Sequence, residues 1–195
     1  MRGDRFPRGV LVVALTAFVL LSLAALLVST VGADTVIRER LLAFATPHVV
    51  SVMRVVNVAG DWKFLLPATL ALLAVFDRAR RTWWVWVALM VAAPIAESVM
   101  KITIGRTRPE GPAYGFPSGH ATAAAAYFGA LLYLAEGLRR GPRTTVRIFA
   151  GAMILLVGLA RVILRAHWPS DVLGGLALGL ALASAATVIA SRRWS

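Results

Sequence analysis

Long apolar runs, broken only by short charged or Pro/Gly-containing stretches, constrain this chain more than any other feature of it. A backbone inside hydrocarbon must satisfy its own N–H and C=O groups, so apolar runs of about 20 residues can be accommodated there only as helices. Six runs cover residues 9–31, 63–76, 82–100, 118–138, 146–164 and 171–190. The second has fourteen residues, short for a hydrocarbon core about 30 Å thick, and is expected to borrow a turn from the stretch before it. The expected fold is therefore all-α: a polytopic membrane protein with six transmembrane helices, forming a single domain over residues 1–195. Composition points the same way. The chain is 59% hydrophobic and 15% charged, whereas an ordinary soluble domain is about 45–50% apolar.

Residues 34–62 interrupt this pattern. They mix Arg38, Glu39, Arg40 and Arg54 with Leu41, Leu42, Phe44, Val49, Val50 and Val52. This is the pattern of an interfacial amphipathic segment between helices 1 and 2, one or two helices broken near Pro47, with a buried re-entrant piece as the alternative. The first run follows Arg2, Arg5 and Arg8 and ends in Val31-Gly32-Ala33, which resembles a signal-peptide cleavage site. Its 23 residues exceed the apolar core of a signal peptide, about 7–15 residues, so an uncleaved first span is expected.

The chain has no cysteine, which removes disulfides and thiolate metal sites from consideration. A net charge of +12 would suit nucleic acid in a soluble protein. In a chain this apolar, clustered arginines instead fix orientation and meet anionic headgroups, so the expected partners are the bilayer and a membrane lipid, with no nucleic acid. Counting basic residues by alternate loops puts 12 on the face of the N-terminus, residues 77–81, residues 136–147 and the C-terminus, against nine on the other. The positive-inside rule then predicts both termini in the cytoplasm of a multi-pass plasma (inner) membrane protein. Five of the nine outer cations crowd into two short loops: Lys101, Arg106 and Arg108 in one, Arg161 and Arg165 in the other.

Alternating spans bring the end of helix 3, the start of helix 4, the end of helix 5 and the start of helix 6 to that same outer face. The polar residues there are Lys101, Arg106, Arg108, Ser118, His120, Arg161, Arg165, His167 and Asp171. Cations, two histidines and a carboxylate suit a phosphoryl group, whose oxygens need Arg and Lys donors. A Pro117-Ser118-Gly119 turn opening helix 4 would add unpaired backbone N–H groups at the positive end of a helix dipole, and glycine lets an oxyanion approach closely. Two histidines suffice for a two-step phosphoryl transfer, one attacking phosphorus and one protonating the leaving group. Asp171, four residues after His167, can orient that imidazole across a helical turn.

The segments Lys101-x6-Arg108-Pro109, Pro117-Ser118-Gly119-His120 and Arg161-x5-His167-x3-Asp171 resemble the tripartite signature of the type 2 phosphatidic acid phosphatase family, and the six-helix layout extends the resemblance over nearly the whole chain. The resemblance implies His167 as nucleophile forming a phosphohistidine, Asp171 as its partner and His120 as general acid. Lys101, Arg108, Ser118, Gly119 and Arg161 would hold the phosphate, with no metal and no cofactor. Two departures stand out. Ala160 replaces the serine usual before the third-segment arginine, and only seven residues separate Pro109 from Pro117, which favours a broad or simple headgroup preference.

The expected activity is hydrolysis of a lipid phosphomonoester or pyrophosphate at the extracytoplasmic face, facing the periplasm or exterior. Undecaprenyl pyrophosphate is favoured by analogy; phosphatidylglycerophosphate, phosphatidic acid and diacylglycerol pyrophosphate also fit. The alternatives are a lipid phosphotransferase using the same intermediate and a non-catalytic phospholipid-binding transporter. A two-metal mechanism lacks the required ligand inventory.

Several residues read less specifically. His167 and Asp171 also fit an ordinary helix start with Ser170 or Asp171 as N-cap. Glu97, four residues before Lys101 in an apolar run, is expected to pair with a site cation. Arg106 and Arg165 suit phosphate contact, headgroup contact or interfacial anchoring equally. His48 reads as structural, and Trp83, Trp84 and Trp86 read as an aromatic belt.

Overall fold

The computed structural model describes residues 5–28 and 32–193. Among them the regular structure is helical, apart from one antiparallel bridge between Thr107 and Tyr114. The helices are α1 (Arg5–Leu27), α2 (Gly32–Leu42), α3 (Pro47–Val58), α4 (Trp62–Val75), α5 (Asp77–Arg81), α6 (Trp83–Ile104), α7 (Gly119–Leu134), α8 (Arg140–Ile163) and α9 (Pro169–Ser191). A single 3-10 turn, Ala135–Gly137, extends α7. Arg2, and Val31 at the expected end of the first span, lie outside the described residues.

The all-α expectation matches this architecture, but the number of helices long enough to span is smaller than six. α1, α6, α8 and α9 have the length and hydropathy to cross a membrane, and α2 with α3 forms a fifth candidate bent by 114°. α4 and α7 occupy the expected second and fourth spans but contain 14 and 16 residues. At about 1.5 Å per residue neither reaches across a full hydrocarbon core. α7 lies inside the bundle, packed by α9, α8, α6 and α4, and starts from a wholly buried Ser118.

The break expected near Pro47 is present. Thr46 caps α3, its hydroxyl accepting the Val49 N–H at 3.3 Å, and Pro47 occupies the first helical position, where its missing N–H is harmless. α3 then lies along α8. The aromatic-belt reading needs correction at one residue. Trp83 and Trp84 are exposed, whereas Trp86 is buried in the core, its indole N–H donating to Thr82 Oγ1 at 3.1 Å.

The centre of the bundle is the α7–α9 contact, built from small residues on both sides, Ala121, Ala125 and Gly129 facing Gly175, Gly179 and Ala183. Where lipid tails are as apolar as side chains, helices associate through close van der Waals contact, and small residues make that contact possible. A Cβ on Gly175 would stand 2.5 Å from the Ser118 carbonyl oxygen and 3.0 Å from Ala121 Cβ. The same contact aligns the two helix starts, since Ser118 N–H donates to the Asp171 carbonyl at 2.9 Å.

Opposite ends of the bundle differ in character. At one, Arg78 of α5 lies beside Gly137, and Phe6 of α1 meets Tyr133 of α7 edge to face at 6.3 Å. The other end carries the starts of α7 and α9 and the end of α6. There Phe116, wholly buried, stacks on Phe18 at 6.1 Å and pins the segment between α6 and α7 to the bundle. Replacing Gly175 with Ala should force α7 and α9 apart at Ser118, costing about 1–3 kcal/mol of stability. A lowered thermal midpoint in detergent micelles checks this, and an unchanged midpoint would contradict the packing argument.

Candidate active site

At the site end, α6 stops at Ile104 because Gly105 adopts a left-handed conformation (φ 64°) and its N–H closes onto the Lys101 carbonyl at 2.9 Å. That turn sends Arg106 inward and leaves Lys101 in the last helical turn, where the dipole favours a cation. Lys101 forms an ion pair with Glu97, one turn earlier and buried, as the spacing predicted. A Cβ at Gly119 would meet Glu97 Oε1 at 2.7 Å, so glycine there admits the carboxylate against the start of α7.

Ser118 is the N-cap residue of α7, yet its hydroxyl makes no capping bond. Its Oγ is buried without a hydrogen-bond partner, as is Arg161 Nε. A buried polar atom left unpaired costs about 1–3 kcal/mol, so the two mark a place built for a polar ligand. Arg161 uses one other nitrogen, Nη1, on Asn57 Oδ1 at 2.7 Å, which steers the guanidinium. Arg108 donates from Nε to the Tyr114 carbonyl at 3.1 Å.

His167 sits in the turn between α8 and α9, 1% exposed. Its Nδ1 faces Asp171 Oδ2 at 3.5 Å, a distance at the outer limit of a hydrogen bond. With Nδ1 turned to the carboxylate, Nε2 is the ring nitrogen available for other chemistry. Burial holds the His167 imidazole below its ordinary pKa; Asp171 opposes that shift, while Arg161 and Arg108 add to it. The ring is therefore neutral near pH 7. His120 lies within electrostatic range of Arg161, Asp61, His167 and Lys101. The structure thus brings the predicted residues of all three sequence segments to one end of the bundle.

Asp171 departs from the simple capping picture. The N-cap of α9 is Trp168, with Pro169 first in the helix, and Asp171 occupies the third helical position, where its Oδ2 accepts the Trp168 N–H at 3.0 Å. Its other oxygen, Oδ1, accepts from Arg106 Nη1 at 2.9 Å. Burial excludes two of the roles that the sequence position of Arg106 allowed, headgroup contact and interfacial anchoring. Arg106 is 5% exposed and also pairs through Nη2 with Asp34 Oδ2 at 2.6 Å. Arg165, by contrast, is exposed and 3.4 Å from Glu110, which also pairs with Arg38 at 2.5 Å.

Sequence reasoning missed the roles of Asp34 and Asn57, and read Ser170 as a helix cap, whereas the N-cap is Trp168 and Ser170 meets Arg106 and Asp34. Asp34 is 72 residues from Arg106 in the chain and sits in a segment read as interfacial, so no helical spacing joins them. A weak signal existed in Arg106 itself, a cation between two helix ends that must be matched if buried. Among the described residues, no three His, Asp or Glu side chains gather as a metal ion would require.

The geometry agrees with relationships to known proteins. Residues 81–195 match the model of the PAP2 superfamily. The chain is 32% identical to phosphatidylglycerophosphatase B of Bacillus subtilis over 184 residues, covering 87% of this chain and 90% of that protein. A lipid A 1-phosphatase of Rhizobium johnstonii is 36% identical over 106 residues, 46% of this chain and 40% of the relative. The crystal structure of a transmembrane PAP2-type phosphatidylglycerolphosphate phosphatase from Bacillus subtilis superposes with a TM-score of 0.80 at 27% identity, covering 93% of this chain and 96% of that one. The fold is also that of Aquifex aeolicus LpxE, with a TM-score of 0.61 at 18% identity, covering 85% of this chain and 98% of that one. With more than half its length matched by the family model and a relative followed almost end to end, this chain belongs to the PAP2 superfamily and is a multi-pass membrane lipid phosphatase.

Proposed function

We propose that the chain hydrolyses the terminal phosphate of a membrane lipid through a covalent phosphohistidine at His167. The observation that carries this reading is the buried His167, Nδ1 toward Asp171, beside unpaired Ser118 Oγ and Arg161 Nε. In the first step Nε2 attacks phosphorus, and the lipid oxygen departs with a proton from His120. The phosphate dianion brings the negative charge that a protonated imidazole needs among so many cations. In the second step water attacks the phosphohistidine, His120 takes its proton, and inorganic phosphate leaves. Asp171 offsets the charge on the His167 ring while phosphorus is attached. Lys101, Arg108, Arg161, Ser118 Oγ and the backbone beside Gly119 hold the non-bridging oxygens, so cations and N–H groups supply the charge compensation that a metal provides elsewhere.

Likeness to phosphatidylglycerophosphatase B along nearly its full length favours phosphatidylglycerophosphate as substrate, ahead of the undecaprenyl pyrophosphate favoured from the sequence. The short segment between Pro109 and Pro117 supports a small headgroup. Orientation follows the charge count: the end bearing Arg78, Arg80, Arg81, Arg143 and Arg147 faces the cytoplasm with both termini, and the site opens on the opposite surface. In this reading α4 and α7, each too short to cross alone, complete a six-crossing bundle together with α5 and the 3-10 turn that follow them, α7 shielded from lipid by its neighbours.

Phosphate release by the purified protein from phosphatidylglycerophosphate, phosphatidic acid, diacylglycerol pyrophosphate and undecaprenyl pyrophosphate, with and without chelator, tests the proposal. Chelator should leave the rate unchanged, and His167→Asn should lower kcat by about 10³-fold or more. Full activity in that variant, or loss of activity with chelator, would sink the mechanism.

A pH dependence also follows from the buried imidazole. Protonation of His167 removes the nucleophile, and its pKa is lowered, so kcat/KM should hold as pH falls and drop only below pH about 6.5, the ordinary histidine value. An acid limb centred above that value would contradict a buried, neutral nucleophile.

A further inference from the structure

We propose that Asp34 and Arg106 are positioning residues for the His167–Asp171 pair, with Arg106 fixing the Asp171 carboxylate and Asp34 cancelling the charge that Arg106 brings. The inference rests on the phosphohistidine reading above and extends it to two residues outside the three sequence segments.

Four side chains carry the argument. Arg106 donates through Nη1 to Asp171 Oδ1 at 2.9 Å and to Ser170 Oγ at 2.6 Å, and through Nη2 to Asp34 Oδ2 at 2.6 Å. Asp34 in turn accepts the Ser170 N–H on Oδ1 at 2.8 Å and the Ser170 hydroxyl on Oδ2 at 2.6 Å. Ser170 precedes Asp171, so Asp34 holds the first turn of α9 from outside while Arg106 holds the carboxylate itself. Asp34 and Asp171 are 2% and 0% exposed, which removes the solvent screening that makes surface pairs weak.

Charge balance gives the second carboxylate its purpose. An Asp171–Arg106 pair alone is formally neutral and offers little to a cationic phospho-imidazole. Adding Asp34 makes the triad formally −1, which the His167 cation brings to zero when phosphorus is bound. The other charged groups acting on the His167 ring are Arg161 and Arg108; of the remaining carboxylates at this end, Asp61 acts on His120 and Glu97 is paired with Lys101. The negative charge beside the His167 ring therefore comes from the Asp34–Arg106–Asp171 side. A forked guanidinium also fixes direction, since it engages both carboxylates and Ser170 from one plane.

The test compares kcat, KM, the pH profile of kcat/KM and thermal midpoint in the full-length detergent-solubilised protein, using phosphatidylglycerophosphate as probe. Asp34→Asn should lower kcat about 10- to 100-fold, the scale seen when a partner that orients a functional histidine at a metal site is removed, with KM little changed. Its acid limb should move to lower pH, because loss of a negative charge makes the imidazolium harder to form. Asp34→Asn combined with Arg106→Gln removes both charges, returns the net −1 to Asp171, and should bring the acid limb back toward wild type. A purely structural role predicts the reverse, with limbs unmoved and the double variant less stable and less active than the single one; that result overturns the inference.

Arg106→Lys serves if Asp34→Asn does not fold: it keeps the charge and loses the fork, so kcat should fall several-fold while the acid limb stays in place. An unchanged kcat or a shifted limb in that variant counts against the proposal. His167→Asn is measured alongside. An active His167→Asn overturns the phosphohistidine reading, whereas an inactive one beside a wild-type Asp34→Asn overturns only this inference.

Discussion

The close approach of α7 to α9 is the contact on which the rest of the molecule depends. No solvent drives these helices together inside a bilayer, and they hold through surfaces of Gly and Ala that bring backbone to within a methyl group of backbone. The consequence reaches beyond stability. α7 begins at Ser118 and α9 begins two residues before Asp171, and the Ser118 N–H to Asp171 carbonyl bond ties the two starts into one rigid edge. The proposed nucleophile lies just before one start, in the turn from α8, and the proposed acid just after the other, so helix packing brings the two histidines to the same end of the bundle.

Around that edge the difficulty is charge. Cations near a bilayer are tolerated when each has an anion or a ligand to meet, and the site meets this in two ways. Arg106 and Lys101 are matched within the fold, by Asp34 with Asp171 and by Glu97. Arg161 is only partly satisfied, with Nη1 on Asn57 and Nε buried without a partner. Pairing fixes where Arg106 and Lys101 stand, and at Arg161 Nε and Ser118 Oγ a phosphoryl group would recover hydrogen bonds that the protein does not supply.

What the amino-acid sequence reveals follows from the range of each interaction. Hydropathy and helical spacing are local, so the helix positions, the break at Pro47 and the Glu97–Lys101 pair could all be read directly. Which apolar runs are long enough to cross depends on where a helix starts in the assembled bundle. The run beginning at Ser118 looked like an ordinary span because nothing local reveals that Phe116 and Ser118 are buried. Trp86 was misjudged for the same reason, since a tryptophan near a helix end looks alike at the interface and in the core. Asp34 was invisible for a stronger reason: its partners come from α9 and from the residues after α6, and no periodicity connects them.

This distinction bears on how the proposed chemistry is divided within the chain. The groups assigned to phosphate and proton transfer fall in three short segments, each readable as a pattern. The groups that hold them reach in from elsewhere: Asn57 at the end of α3 onto Arg161, and Asp34 in α2 onto Arg106 and Ser170. Both come from the bent pair between the first two apolar runs, the part of the chain whose amphipathic character pointed to a role at the membrane surface. Two of its polar residues turn inward and brace a guanidinium each, so α2 and α3, bent by 114° from one another, act as a buttress for the site.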